Sequence, residues 1–248
     1  MKPWLVFVHG IGGSSRVWPE QEAYLAGRAR VLCWNIPGYG GRPLPDDFSF
    51  AGLARRLVAD LRAFGIERFA LVGHSFGGMI AQQVARDFPH ALSHLVLSGT
   101  SPAFGSPDGD FQKRFMADRL GPLDAGRTMA EIADAIVRSL VAPGCPPGAM
   151  AVARQSMEQV AEATYRASME LLVTFDLRSD LSTIAVPTLV LAAGKDTSAP
   201  APMMEKMASR IPGARYVCIE DAGHLANLER PDEFNRAIAA FLEDNDNG

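Results

Sequence analysis

Short apolar runs alternate with stretches of helical period along most of the chain. The runs are Trp4–Val8, Arg30–Asn35, Phe69–Val72, Leu95–Ser98, Thr188–Ala192 and Arg215–Ile219. They are rich in Val, Leu and Ile, as expected of strands covered on both faces. Between them, Phe50–Phe64 carries Leu53, Leu57, Val58 and Leu61 at helical spacing. Gly77–Phe88 places Met79, Ile80, Val84 and Phe88 on one stripe and stops before Pro89. Pro202–Arg210 and Pro231–Glu243 read as further helices. In the latter Pro231 suits the first turn, and Phe234, Ile238 and Phe241 face inward. This alternation predicts an α/β fold: a mostly parallel sheet with helices on both faces.

The rhythm breaks between Ala103 and Leu177. Phe111–Leu120, Met129–Leu140, Met150–Val160 and Ala163–Phe175 are all helical in composition. Gly121-Pro122 and the Pro143–Gly148 stretch act as breakers between them. The expected organisation is a core formed by 1–102 and 178–248, with 103–177 inserted as a helical lid. The Asp244–Gly248 tail reads as a frayed end.

Composition narrows the function classes. Nearly half of the 248 residues are hydrophobic, 48%, enough for a large core. The net charge of −4, with both signs mixed, gives no basis for nucleic acid or an anionic membrane as partner. Cys33, Cys145 and Cys218 are widely spaced and odd in number, which fits reduced thiols in a cytoplasmic protein. Met1-Lys2-Pro3 runs straight into an apolar strand, so no signal peptide is expected. No apolar run approaches the roughly 18 residues of a membrane helix.

The chemistry concentrates in Gly73-His74-Ser75-Phe76-Gly77, a Gly-x-Ser-x-Gly pentapeptide between an apolar run and a helical stretch. A serine on a sharp strand-to-helix turn is a nucleophile elbow, and the flanking glycines are needed where a Cβ would clash. The helix N-terminus beneath it favours developing negative charge.

A nucleophilic serine needs a base, an orienting acid and an oxyanion hole. His224 follows the last strand by a short loop, on the same sheet edge as Ser75, and is the candidate base. Asp196 follows the strand Thr188–Ala192 and is the candidate acid, with Asp176, Asp180 and Asp221 as competitors. The oxyanion donors expected are the backbone N–H of Phe76 and that of Ile11, with Gly12 as the second choice for the latter. His9 is expected to buttress its loop by a hydrogen bond, and His74 to pack behind the nucleophile. The stretch Gly38-Tyr39-Gly40-Gly41 lacks the third glycine of a dinucleotide fingerprint, and five scattered histidines form no metal set. No cofactor and no metal are expected.

Serine, aspartate and histidine in this order after an HG loop resemble the α/β-hydrolase superfamily. The look is nearest to carboxylesterases and 3-oxoadipate enol-lactonases with lids, through Ile211–Tyr216 leading into Asp221–Pro231 and Val186–Leu191 leading into the acid loop. The resemblance covers roughly 4–100 and 180–242. It implies a Ser-His-Asp hydrolase that cleaves a small-molecule ester or lactone through an acyl-enzyme. A cofactor-independent perhydrolase or haloperoxidase-like enzyme, a carbon–carbon bond hydrolase and a non-catalytic small-molecule receptor are the rival readings.

The chain departs from the family pattern at Ala193, where a glycine is usual, and at Asn35, where an aspartate is usual. The chain starts almost at the strand before His9-Gly10, and the family's usual N-terminal strand pair is expected to be missing. That predicts about six strands, with Arg30–Asn35 at an edge that a second copy could cover. Phe104, Phe111, Phe115, Met116, Met129, Met150, Met157 and Met169 in the lid favour a largely apolar substrate. Arg119, Arg138 and Arg154 are alternative contacts for a substrate carboxylate.

Overall fold

The computed structural model describes residues 2–105 and 109–246. Six strands form one sheet: β1 (Trp4–Val8), β2 (Arg30–Trp34), β3 (Phe69–His74), β4 (Leu92–Ser98), β5 (Thr188–Ala193) and β6 (Arg215–Ile219). Every pairing is parallel and the order is β2-β1-β3-β4-β5-β6, so β2 lies at an edge as expected. The helices are α1 (Pro19–Leu25), α2 (Phe50–Ala63), α3 (Phe76–Asp87), α4 (Asp110–Asp124), α5 (Met129–Leu140), α6 (Pro147–Glu158), α7 (Glu162–Leu172), α8 (Ala201–Ala208), α9 (Ala226–Glu229) and α10 (Pro231–Asp246).

Alternating strand residues feed two cores. Val6 and Val8 of β1 and Phe69 and Leu71 of β3 face the α2, α3 and α8 side. Leu5 and Phe7, and Ala70 and Val72, face the α1 and α10 side. This period of two accounts for the continuous apolar runs. Each fully buried Leu or Phe contributes about 1.5–3 kcal/mol. Helix starts follow their local chemistry. Ser49 caps α2 by accepting from Gly52 N–H, and Thr128 with Glu131 forms a reciprocal capping box on α5.

The four helices α4–α7 lie between β4 and β5. Their segment leaves and returns at one point, where an isolated antiparallel bridge pairs Ala103 with Asp176. The Phe104 N–H donates to Phe175 O and the Leu177 N–H to Pro102 O.

Three local readings are corrected. Gly121-Pro122 does not break its helix: α4 runs through it to Asp124. Gly121 has no Cβ for the proline ring to strike, and only the final turn loses a bond. The helix α1, signalled by Pro19 and the acids Glu20 and Glu22 of its first turn, escaped the sequence reading. Finally, α10 continues to Asp246, into the segment expected to fray; Asn247 and Gly248 lie outside the described residues.

The strand order sets where a site can form. β1 and β3 are neighbours, yet their outgoing connections lead to opposite sides of the sheet. A crevice opens at such a switch point, beyond the carboxyl ends of the strands. The approach there is close. A Cβ on Gly77 would fall on the carbonyl oxygens of Val8 and His9, and one on Gly73 on that of Gly77. Gly77→Ala is therefore expected to destabilise the fold by about 3 kcal/mol or more. Gly27→Ala, which meets nothing within 4 Å, should stay within about 0.5 kcal/mol. Urea unfolding of the two variants checks this, and equal midpoints would refute the packing account.

Candidate active site

Ser75 follows β3 directly and precedes α3. Its φ of 55° and ψ of −119° make it the one non-glycine residue with positive φ among the described residues. Such a conformation costs on the order of 1–3 kcal/mol and persists only where the surroundings impose it. Here the Ser75 N–H donates to Ser98 O at 2.9 Å, and Thr100 Oγ1 donates to Ser75 O at 2.8 Å. The turn thus lifts the hydroxyl out of the sheet edge.

The three groups predicted from the sequence meet there. Ser75 Oγ lies 2.9 Å from His224 Nε2, and His224 Nδ1 lies 2.8 Å from Asp196 Oδ2. The other Asp196 oxygen accepts the N–H groups of Ser198 at 2.7 Å and Ala199 at 2.9 Å. Burial opposes charge on Asp196, but the facing His224 and these N–H donors outweigh it, and the carboxyl titrates at about 2. The acid is ionised at neutral pH. The competing acids lie elsewhere: Asp176 is held by Arg178, Asp180 precedes a short 3-10 turn, and Asp221 is exposed. Ala193 does not disturb this geometry, since it ends β5 and its carbonyl accepts the Asp196 N–H.

Two further histidines frame the site. His9 Nδ1 donates to Gly10 O at 2.9 Å, and its Nε2 accepts the Ile36 N–H at 3.2 Å. That fixes the tautomer and joins the loop after β1 to the loop after β2, the buttress expected. Asn35 adds to this joint, accepting the Ser15 N–H at 2.6 Å and donating to Ser15 Oγ at 3.0 Å. His74 does more than pack. Its Nε2 donates to His224 O at 2.8 Å, and its ring lies 4.9 Å from the His224 ring. Burial pulls His9 down to about 4 and His74 down to about 3, so both are neutral at pH 7.

Ile11 lines the cavity above Ser75. Its N–H and that of Phe76, the first residue of α3, have no partner among the described residues. Gly10 permits the approach of this loop, since a Cβ there would stand 2.9 Å from Ser75 Cβ. The Gly12 main chain instead interacts with the Tyr39 hydroxyl.

The cavity measures about 330 Å³. Its floor carries Ser75, His224, Gly10 and Ile11, and α4–α7 supply walls such as Phe115, Ile136, Met157 and Met169. Of the apolar residues singled out in the sequence, Phe104 and Phe111 also line it, whereas Met116, Met129 and Met150 do not. No group of His, Cys, Asp and Glu among the described residues could hold a metal.

Sequence reasoning missed Glu229. It is buried at 2% exposure. Its Oε2 accepts the N–H groups of Ala142 at 2.7 Å and Gly223 at 3.1 Å, and its Oε1 accepts that of Leu225 at 3.1 Å. One carboxylate therefore ties the loop on both sides of His224 to the end of α5. The His224 N–H completes the tie by donating to Leu140 O at 2.7 Å. An acid next to Leu228, at the end of a short helix, was a weak signal, and a partner 87 positions away left none.

Comparison with known proteins identifies the family. The model of the alpha/beta hydrolase family matches residues 5–237. The chain belongs to that family. RutD of Pseudomonas savastanoi pv. phaseolicola, which bears the name of a carbamate hydrolase, is 31% identical over 97% of this chain and 93% of its own. A pimeloyl-(acyl-carrier protein) methyl ester esterase of Aromatoleum aromaticum is 28% identical, covering 98% of each chain. The enol-lactonase of Burkholderia xenovorans LB400 superposes with a TM-score of 0.86 at 26% identity, over 98% of this chain and 92% of its own. No helix among the described residues of this hydrolase is long and apolar enough to cross a membrane.

The two neutral buried histidines make the fold acid-sensitive. In the unfolded chain they titrate near 6.5, and in the folded chain near 4 and 3. Between those limits the unfolded state holds more protons, so stability falls as pH drops below about 6.5. Burial pushes Glu229 up, and this group opposes the trend with one proton. The urea midpoint should fall steadily from pH 7 to pH 4.5, by about 1.4 kcal/mol per pH unit for each uncompensated proton. A flat midpoint over that interval would exclude neutral His9 and His74.

Proposed function

We propose that this α/β-hydrolase is a serine hydrolase acting on small-molecule carboxylic esters or lactones through an acyl-enzyme. The observation that carries the reading is the hydrogen-bonded chain from Ser75 Oγ through the His224 ring to ionised Asp196, at 2.9 and 2.8 Å. Ser75 Oγ attacks the acyl carbon, and His224 Nε2 takes its proton. Asp196 accepts from Nδ1–H, which leaves Nε2 free to act as the base and stabilises the imidazolium that forms. The negative oxygen of the tetrahedral intermediate is received by the N–H groups of Phe76 and Ile11. Removal of one such donor typically costs about 3 kcal/mol of transition-state stabilisation. His224 then protonates the leaving group, and water activated by the same nitrogen releases the acid.

Each part of the scaffold fits a role in this cycle. The tie from His74 to His224 O sets the ring height, and neutrality of His74 spares the site a second cation. The helices α4–α7 act as a cap whose Phe and Met side chains exclude water and accept an apolar substrate body. The named relatives act on a carbamate, a methyl ester and an enol-lactone, each an acyl carbon bearing a heteroatom leaving group. The three unpaired thiols fit a cytoplasmic setting.

Two experiments test the reading. A fluorophosphonate should label wild type stoichiometrically and fail to label Ser75→Ala; equal labelling of both would remove Ser75 as nucleophile. Asp196→Asn should keep the fold yet lower kcat on a p-nitrophenyl ester on the order of 10⁴-fold. Near-normal turnover by that variant would assign the orienting role to another acid.

A further inference from the structure

The cavity that holds Ser75 carries a charge that no carboxylate among the described residues neutralises. Arg119 of α4 lines the cavity, and no Asp, Glu or Lys does. The other arginines of the insertion that invite comparison are engaged. Arg138 pairs with Asp134 at 2.7 Å, Arg154 with Glu158 at 3.5 Å, and Arg166 with Asp124 and Glu162 at 2.7 and 2.8 Å. None of those three lines the cavity. Among the described residues Arg119 has no carboxylate partner. Its Nη1 and Nη2 each stand 3.3 Å from Ser139 Oγ, and its guanidinium lies 5.5 Å from the Phe115 ring centroid. These contacts orient the group and leave its charge uncompensated.

A second, independent observation comes from α7. Tyr165 is fully buried, lines the same cavity, and its hydroxyl has no hydrogen-bond partner. A buried phenol left without a partner costs about 1–3 kcal/mol. The field of Arg119 reaches that hydroxyl. A donor without an acceptor and a cation without a carboxylate partner among the described residues thus line one cavity.

We propose that Arg119 and Tyr165 form an anion subsite, and that the substrate is a monoester or lactone with a free carboxylate remote from the scissile bond. A carboxylate offers two oxygens to the planar guanidinium and a lone pair to the phenol. It matches one cation with one charge, whereas the second charge of a phosphate monoester would find no partner in this wall. The apolar residues between Arg119 and Ser75 would then cover a short hydrocarbon spacer. This proposal rests on Ser75 as the nucleophile, so its test separates the two.

The test compares p-nitrophenyl esters in matched pairs: the mono-esters of glutarate and adipate against acyl chains of equal length ending in methyl. A second set carries the carboxylate on the alcohol side. Wild type should prefer the acid over its isostere in one set by about tenfold in kcat/KM, the worth of one hydrogen-bonded charge. Arg119→Ala should erase that ratio through KM, Tyr165→Phe should reduce it, and Arg138→Ala should leave it unchanged. Preference for the methyl-ended ester in both sets, or an unchanged ratio in Arg119→Ala, would overturn the subsite while hydrolysis of the neutral esters upholds Ser75. If no ester is cleaved, thermal shift with free glutarate and adipate decides the subsite alone. A rise in Tm for wild type that Arg119→Ala lacks supports it, and no rise overturns it.

Discussion

The close seating of α3 against the carboxyl ends of β1 and β3 is the constraint on which the rest depends. Gly77 allows the helix to touch the carbonyl oxygens of Val8 and His9, and Gly73 allows the turn to close upon itself. That contact forces Ser75 into its positive φ and aims its hydroxyl into the crevice created by the strand order. The loop after β1 comes just as near, since a Cβ on Gly10 would stand 2.9 Å from Ser75 Cβ. A methyl group at Gly73 or Gly77 would strike main-chain atoms and displace the turn that holds Ser75.

Desolvation then distributes charge among the polar groups around that turn. His9 and His74 are stripped of water and remain neutral, which lets each act as a fixed donor to a main-chain carbonyl. Asp196 is buried as well, yet two N–H groups and the facing imidazole keep it ionised. Glu229 lies between these cases, since burial raises it while three N–H groups hold it in place. Burial alone therefore does not decide ionisation; the number and sign of the hydrogen-bond partners do. Through Glu229 the His224 loop and the end of α5 form one hydrogen-bonded unit. The floor and the wall of the cavity are mechanically joined.

The core was legible because its signals are local. A strand buried on both faces must be apolar throughout, and an amphipathic helix must repeat every three to four residues, so all six strands and the helices α2, α3, α8 and α10 lie close to where the pattern puts them. The short helices α1 and α9 have too few turns to show a period. Gly121-Pro122 misled for a related reason, since breakers act on the next turn and α4 had almost ended.

The sequence by itself determined the elbow, the candidates Ser75, Asp196 and His224, and their common sheet edge. Each of these follows from residues that are neighbours in the chain: a glycine-flanked serine, an acid after one strand, a histidine after another. Only the tertiary structure decided the rest. It gave His74 and Glu229 their hydrogen-bond partners, and left Arg119 without a carboxylate partner among the described residues while pairing Arg138 and Arg154. The physical reason is that a hydrogen bond or ion pair is a property of two groups in space. Glu229 and Ala142, or His74 and His224, meet across the fold, and no periodicity along the chain records that meeting.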